Sequence, residues 1–439
     1  MQQNNKLLIK DWSIIYKFND TQEYLSFQDL RNLSFVCKDI YYKTKSLFES
    51  HFYINSRLII DNLSNKAYEY DIDNVEISND MLLRFRESVK PISGLVKSAK
   101  IGEIPLYPEF QLYLDSFINL EKLYFCSSET KVNLTSLNLI LTSSRKLKEL
   151  RLFYIIIYSN EIGDANKVLF PPTLTKLSIN WCVWPDYYQT LREDLITVPT
   201  LGPYSVLSTQ KFPQLLYFEY SFEIFNSSFN PIASVLENSP KLLTINLDVR
   251  FLNQETFKLI VKSTNLKSII FSKSTPYIFK PECYKGHSYV AITHISFKFS
   301  DLGTETLLDI ELLLAHFPNL ISLCLSFERP FLPQFKRILK NLQKLKHFSL
   351  TNSIEDANPL SMQLTNNTIT NLNLLNFKFS QIDFKDFESW SALKTIKLEF
   401  DENFIQANDY TWQSDFIKIA VGHDWRVFSY PNFIKFYRQ

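Results

Sequence analysis

The chain has 439 residues, 45% of them apolar and 21% charged, with a formal net charge of +1. That is the composition of a soluble protein with a large core, and its near-neutral balance offers no field to hold nucleic acid or an anionic membrane. The longest apolar run, Leu152-Phe153-Tyr154-Ile155-Ile156-Ile157-Tyr158, is far short of the roughly 18–20 residues that span a bilayer.

In chain order, the N-terminus opens polar and Lys10-Asp11 breaks the run Leu7-Leu8-Ile9, so no secretory signal is read and a cytoplasmic or nuclear location is expected. Residues 1–55 do not repeat and read as a small all-helical module, with helices over Trp12 to about Phe18, Leu30 to Val36 and about Lys43 to Phe52. Within it, Tyr24-Leu25 precedes a short polar turn, then Asp29-Leu30, Leu33 and Val36-Cys37-Lys38, with Leu47-Phe48 further on. This order and spacing resemble the middle of an F-box, although Ser13-Ile14 stands where that family usually opens with Leu-Pro and an acidic residue. The resemblance implies contact with a Skp-type adaptor, and through it a cullin complex, by Leu25, Asp29, Leu30, Leu33, Val36 and Cys37. The residues alone also allow a plain helical cap that covers the first repeat.

From about residue 72 one triplet recurs: an apolar residue, a second three later and a third two beyond. Two weak copies, Ile72-Val75-Ile77 and Val96-Ala99-Ile101, precede eleven clear ones from Leu120-Leu123-Phe125 to Leu393-Ile396-Leu398. Successive starts are 24, 24, 27, 27, 41, 27, 24, 26, 28, 25, 24 and 24 residues apart. The last two positions share one face of an extended segment. Between triplets lie stretches of helical spacing, among them Ile232–Leu236, Phe257–Val261, Leu307–Leu314 and Phe335–Leu339. Pro172, Pro213, Pro240 and Pro318 each stand two residues before a triplet and stop the preceding helix.

This pattern resembles the repeats of the leucine-rich-repeat superfamily, in which Pro-x-Leu-x-x-Leu-x-Leu is common. The resemblance implies an α/β solenoid of about 13 repeats over residues 56–400, a horseshoe with parallel strands on its concave face and helices on its convex face. No regular Asn or Cys follows the triplet, so the side-chain ladder usual at that turn is missing or degenerate. The 41-residue interval after Leu174 carries Trp181, Trp184, Tyr187 and Tyr188 and reads either as a functional loop or as a decayed repeat. Residues 401–439 read as a C-terminal cap: a helix at about Tyr410–Val421, Gly422 as its stop, then an extended Trp425–Tyr430.

No catalytic motif is present, the six histidines lack metal-ligand spacing, and the five scattered cysteines suit neither a disulfide framework nor zinc. Seven glycines leave little with which to build phosphate cradles. No enzyme activity, cofactor or metal is expected. Binding is expected on the strand face, where positions between the core residues point outward. Early repeats place Lys100, Lys122, Glu149, Arg151, Lys176 and Glu219 there. From Thr244 onward come Asn246, Ser268, Ile270, His294, Ser296, Ser322, Cys324, His347, Ser349, Asn371 and Asn373, with no Asp, Glu, Lys or Arg. Strand faces are poor in charge anyway; the sharper reading is a neutral groove that docks an unknown target protein. The resemblances together imply a non-catalytic substrate-recognition subunit of a Skp–cullin–F-box ubiquitin ligase. The other reading is an interaction scaffold unrelated to ubiquitin.

Overall fold

A computed structural model describes residues 51–54, 87, 89–91, 93–102, 114, 117–158, 167–182, 203–221, 230–272, 281–298, 304–327, 332–352, 366–377, 382, 384–400, 425–430 and 433–438. The chain divides into two compact units, residues 1–174 with 182–198, and residues 175–181 with 199–439. In the first unit, β1 (His51–Ile54), β2 (Ser98–Ile101), β3 (Lys122–Asn133) and β4 (Glu149–Tyr158) pair in chain order, all parallel. The second unit repeats the scheme with β5 (Lys176–Asn180), β6 (Tyr217–Ser221), β7 (Thr244–Leu247), β8 (Ser268–Ser272) and β9 (His294–Lys298). Its ladder continues through β10 (Ser322–Phe327), β11 (His347–Asn352), β12 (Asn371–Leu375) and β13 (Thr395–Glu399).

Most strands are short because the triplet supplies only two inward positions each; β3 and β4 run on to 12 and 10 residues and add the buried Val132, Ile155 and Ile157. In all twelve copies from Val96 to Leu398 the three triplet residues are buried, none more than 6% exposed. They stack in register, so that Leu323 lies between Ile295 and Phe348, and Leu325 between Phe297 and Leu350. Between strands the chain returns as α1 (Leu134–Ser143) in the first unit. The second unit has α2 (Pro231–Asn238), α3 (Gln254–Lys262), the single turn α4 (Pro281–Tyr284), α5 (Thr304–Leu314) and α6 (Leu332–Asn341). Asparagines start three of them: Asn133, Asn230 and Asn253 accept hydrogen bonds from the Ser136, Ile232 and Thr256 amides. On α3 the buried face is Phe257 and Ile260, while Lys258 and Val261 are exposed.

Backbone geometry fixes how one repeat seats on the next. The residue after the first triplet position offers a single carbonyl that accepts two consecutive amides from the following repeat. Lys346 O takes the Thr370 and Asn371 amides at 2.8 and 3.0 Å. The same pair recurs at Lys97 and Glu121 in the first unit and at Thr175, Leu216, Leu243, Lys267, Thr293, Ile321 and Thr370 in the second. The Thr175 pair is made with Leu216 and Tyr217, so the 41-residue interval does not break the stacking.

A side-chain ladder does exist, but on the helix-to-strand turn rather than after the triplet. Asn119, Asn265 and Asn319, each just before a triplet, donate to the Gly94, Pro240 and Val290 carbonyls of the preceding turn at 2.6–2.8 Å. Lys146 and Lys344 of the next repeat then donate to Asn119 and Asn319, both at 2.6 Å. Three residues before the triplet, Phe117 in the first unit and Phe212, Tyr289, Phe317, Leu342 and Trp390 in the second are likewise buried.

One expectation changes. A helix was expected to run to about Phe52 in an all-helical module, whereas His51–Ile54 is a strand. It pairs directly with β2, Phe52 opposite Ala99 and Ile54 opposite Ile101. Phe52 and Ile54 have the period-2 spacing of a strand, and pairing to an existing edge outweighs local helical preference. The F-box-like residues Leu25, Asp29, Leu30, Leu33, Val36 and Cys37, the Ile72 copy, the body of the long interval and the helix at 410–421 lie outside the described residues. The extended segment at Trp425 is found as β14 (Trp425–Ser429). Beyond the repeat pattern, β15 (Phe433–Arg438) returns antiparallel between β13 and β14.

Leu323→Asp should place a charge in the stack with no partner, at a cost on the order of 3–5 kcal/mol. Ser322→Asp, one residue away on the half-buried face, should melt within a few degrees of wild type. Thermal unfolding followed by circular dichroism checks both, and an equal loss would displace the register.

Candidate functional site

The open face of the second unit is made by residues that alternate with the core positions. Register sets them in rows. One row runs Lys176, Tyr217, Thr244, Ser268, His294, Ser322, His347, Asn371 and Thr395. Beside it run Ser178, Glu219, Asn246, Ile270, Ser296, Cys324, Ser349, Asn373 and Lys397. All the neutral positions named from sequence therefore lie together on β7–β12. His294 and His347 are exposed, and most of the others are half-buried.

Asn246 is a correction. Expected as an outward groove position, it is only 4% exposed. Its amide donates to Glu219 at 2.7 Å and, more weakly, to the Tyr217 hydroxyl at 3.4 Å. The carboxylate one strand away has drawn it into a polar cluster, where Lys176 also sits 4.7 Å over the Tyr217 ring. That cluster bounds the neutral rows on one side. On the other, Asn373 donates to Glu399 at 2.6 Å, and Lys397 is paired with the same carboxylate. Lys397 and Asn373 hold the Glu399 carboxyl below its ordinary pKa, although burial works against them.

The rows are also wider than the sequence suggested. A triplet template defines two outward positions per strand, but β8–β12 are five or six residues long and add a third, including Ser272, Lys298, Ser326, Thr351 and Leu375. Lys298, exposed at the end of β9, brings a charge onto a face read as uncharged. Strand length beyond the triplet was the missing signal.

Inside the rows, hydrogen bonds run between strands. Asn371 lies 2.8 Å from His347 Nδ1 and accepts from the Thr395 hydroxyl at 2.6 Å. Burial, and then the charge of His347 two strands away, hold the His294 pKa below the ordinary histidine value. Cys324 is half-buried, and burial pushes its thiol up, the opposite of what a nucleophilic thiolate needs. The Asn246 and Asn373 side-chain oxygens are buried without a hydrogen-bond partner. Each such group carries the desolvation cost of an unmade hydrogen bond. Among the described residues, no group of three His, Cys, Asp or Glu is arranged to hold a metal, and no helix is long and apolar enough to cross a membrane.

The stacked triplets, the parallel register and the returning helices decide the architecture. The fold is that of leucine-rich repeats. No protein-family profile and no curated protein matches the chain. Among solved structures it is similar to an internalin from Listeria monocytogenes, at 14% identity, over 77% of this chain and 100% of that chain, with a TM-score of 0.28. At that TM-score the similarity carries no argument, and the assignment rests on the ladder itself.

Nuclear magnetic resonance titration of the ring protons should place the His294 midpoint below about 6.5. His347→Gln should raise it only part of the way, because burial is the larger cause. The sign for stability follows: neutral His294 is favoured in the fold, so its contribution is present above the unfolded pKa and is lost as pH falls through the folded one. His294→Gln should flatten that acid limb in melts taken between about pH 7 and pH 5.

Proposed function

We propose that the chain is a non-catalytic protein-interaction scaffold whose second unit docks a partner protein on the neutral rows of β7–β12. What carries the reading is the gathering of Ser268, Ser296, Ser322, Ser349, Asn371 and the two histidines on one face, with charged clusters at both margins. A face of hydroxyls, amides and imidazoles offers hydrogen bonds at low desolvation cost, while the paired charges beside it disfavour misplaced partners. Repeat architecture suits this role, since a row of equivalent positions presents an extended surface that a single domain of the same size cannot.

The finer reading is that this scaffold is the substrate-recognition subunit of a Skp–cullin–F-box ubiquitin ligase, working in the cytoplasm or nucleus. Its support is the spacing of Leu25, Asp29, Leu30, Leu33, Val36 and Cys37. Residues 1–55 would hold the Skp-type adaptor and the repeats the target, so this chain supplies proximity and its partners the chemistry. The other reading keeps the docking face and drops the adaptor.

Full-length protein should co-purify with a cognate Skp-type adaptor, and Leu25→Ala with Leu30→Ala should weaken that affinity by roughly a thousandfold, at about 2 kcal/mol per lost anchor. The melting temperature of the repeats should hold, because stacked repeats are stabilised mainly by their neighbours. Absence of binding at micromolar wild-type protein would leave the scaffold reading without the ubiquitin one.

A further inference from the structure

The open face changes character once more at the terminal hairpin. Register carries the outer row from Thr395 to Tyr437 and Arg426, and the next from Lys397 to Lys435 and Phe428. Here cations lie over rings: Arg426 over Phe428 at 5.0 Å, Lys435 over Tyr437 at 4.9 Å and Lys397 over Phe433 at 4.8 Å. The rings brace one another, with Tyr430 stacked on Phe433 at 4.3 Å and Phe428 edge-on to Tyr437 at 5.5 Å.

Against this surface lies an open pocket of about 460 Å³ lined by Arg426, Phe428, Tyr430, Tyr437 and Arg438. Its size falls in the range of binding clefts, roughly 300–1,000 Å³. The two arginines differ. Arg438 is committed to the fold, donating to the Trp390 and Glu388 carbonyls at 2.7 and 3.2 Å. Arg426 is exposed and has no carboxylate partner among the described residues. Among the described residues, the lining thus holds two guanidinium groups and no carboxylate. Phe428, on β14, and Tyr430, just past its end, stay 37% and 46% exposed. A guanidinium presents a planar fork that fits a carboxylate bidentately, and an exposed ring beside it takes the chain that carries that carboxylate.

We propose that this pocket docks an acidic segment of a partner protein, a Glu or Asp carboxylate against Arg426 and the flanking chain over Phe428 and Tyr430. Charge complementarity selects the occupant, because the described lining is cationic and aromatic and offers two guanidinium groups to an acidic ligand. The inference needs neither the neutral rows nor the adaptor, so its failure and theirs are separable.

The experiment is fluorescence anisotropy on the full-length protein with a short labelled peptide of alternating glutamate and tyrosine, and its lysine–tyrosine counterpart. The acidic peptide should bind saturably and more weakly as salt rises, and the basic one should not bind. Arg426→Gln should weaken binding about tenfold, with Arg426→Lys between it and wild type. Ser349→Asp on the neutral rows should leave it unchanged. If Arg426→Gln melts below wild type, Tyr430→Ser replaces it and should also weaken binding. Equal affinity for wild type and both variants overturns the proposal. So does full displacement by millimolar inorganic phosphate, which would make the site one for small anions.

Discussion

The interaction on which the rest depends is a backbone carbonyl shared by two amides. At Lys97, Lys346 and their equivalents, one oxygen accepts consecutive N–H groups from the repeat that follows. A carbonyl has two lone pairs, and filling both leaves the strand start one position in which to settle. Side-chain period in a strand is two, so a slip of one residue would turn every Leu of the stack to solvent and every Ser and Asn inward. The shared carbonyl and the buried triplet therefore enforce the same register. Neither requires a conserved side chain at the accepting position, which is Lys, Glu, Thr, Leu or Ile in different repeats.

With register fixed, surface chemistry becomes a matter of which residues alternate with the core. Along the second unit that alternation produces three zones: a polar cluster around Glu219 and Asn246, neutral rows on β7–β12, and a cationic aromatic end at the hairpin. The zones differ in what they would recognise, while the core beneath them hardly changes. Function on such a scaffold is written on the outward positions and leaves the stack alone.

Much of the fold was legible because its signal is periodic and cooperative. Leu320-Leu323-Leu325 means little alone, but its recurrence gave twelve buried strands and the placement of α2, α3, α5 and α6. What escaped was not periodic. His51–Ile54 is paired as a strand through its partner Ser98–Ile101, a contact no local window contains. The Asn119, Asn265 and Asn319 ladder went unseen because the position just before the triplet carries Asn in only some repeats. The face was legible in order but not in exposure. His294 and His347 stand out as expected, whereas Asn246 is covered because Glu219 lies one strand away. Lys298 fell beyond the triplet, and the hairpin pocket draws Arg426 and Arg438 from strands with no repeat signature.

Residue-resolved hydrogen–deuterium exchange tests the central claim most directly. If a shared carbonyl locks each repeat to the next, the paired amides of Ile321 and Ser322, Lys346 and His347, and Thr370 and Asn371 should exchange together. They should exchange as slowly as the strand interiors that follow them. Protection of only one amide in each pair, or exchange at the rate of the exposed turns, would contradict the account.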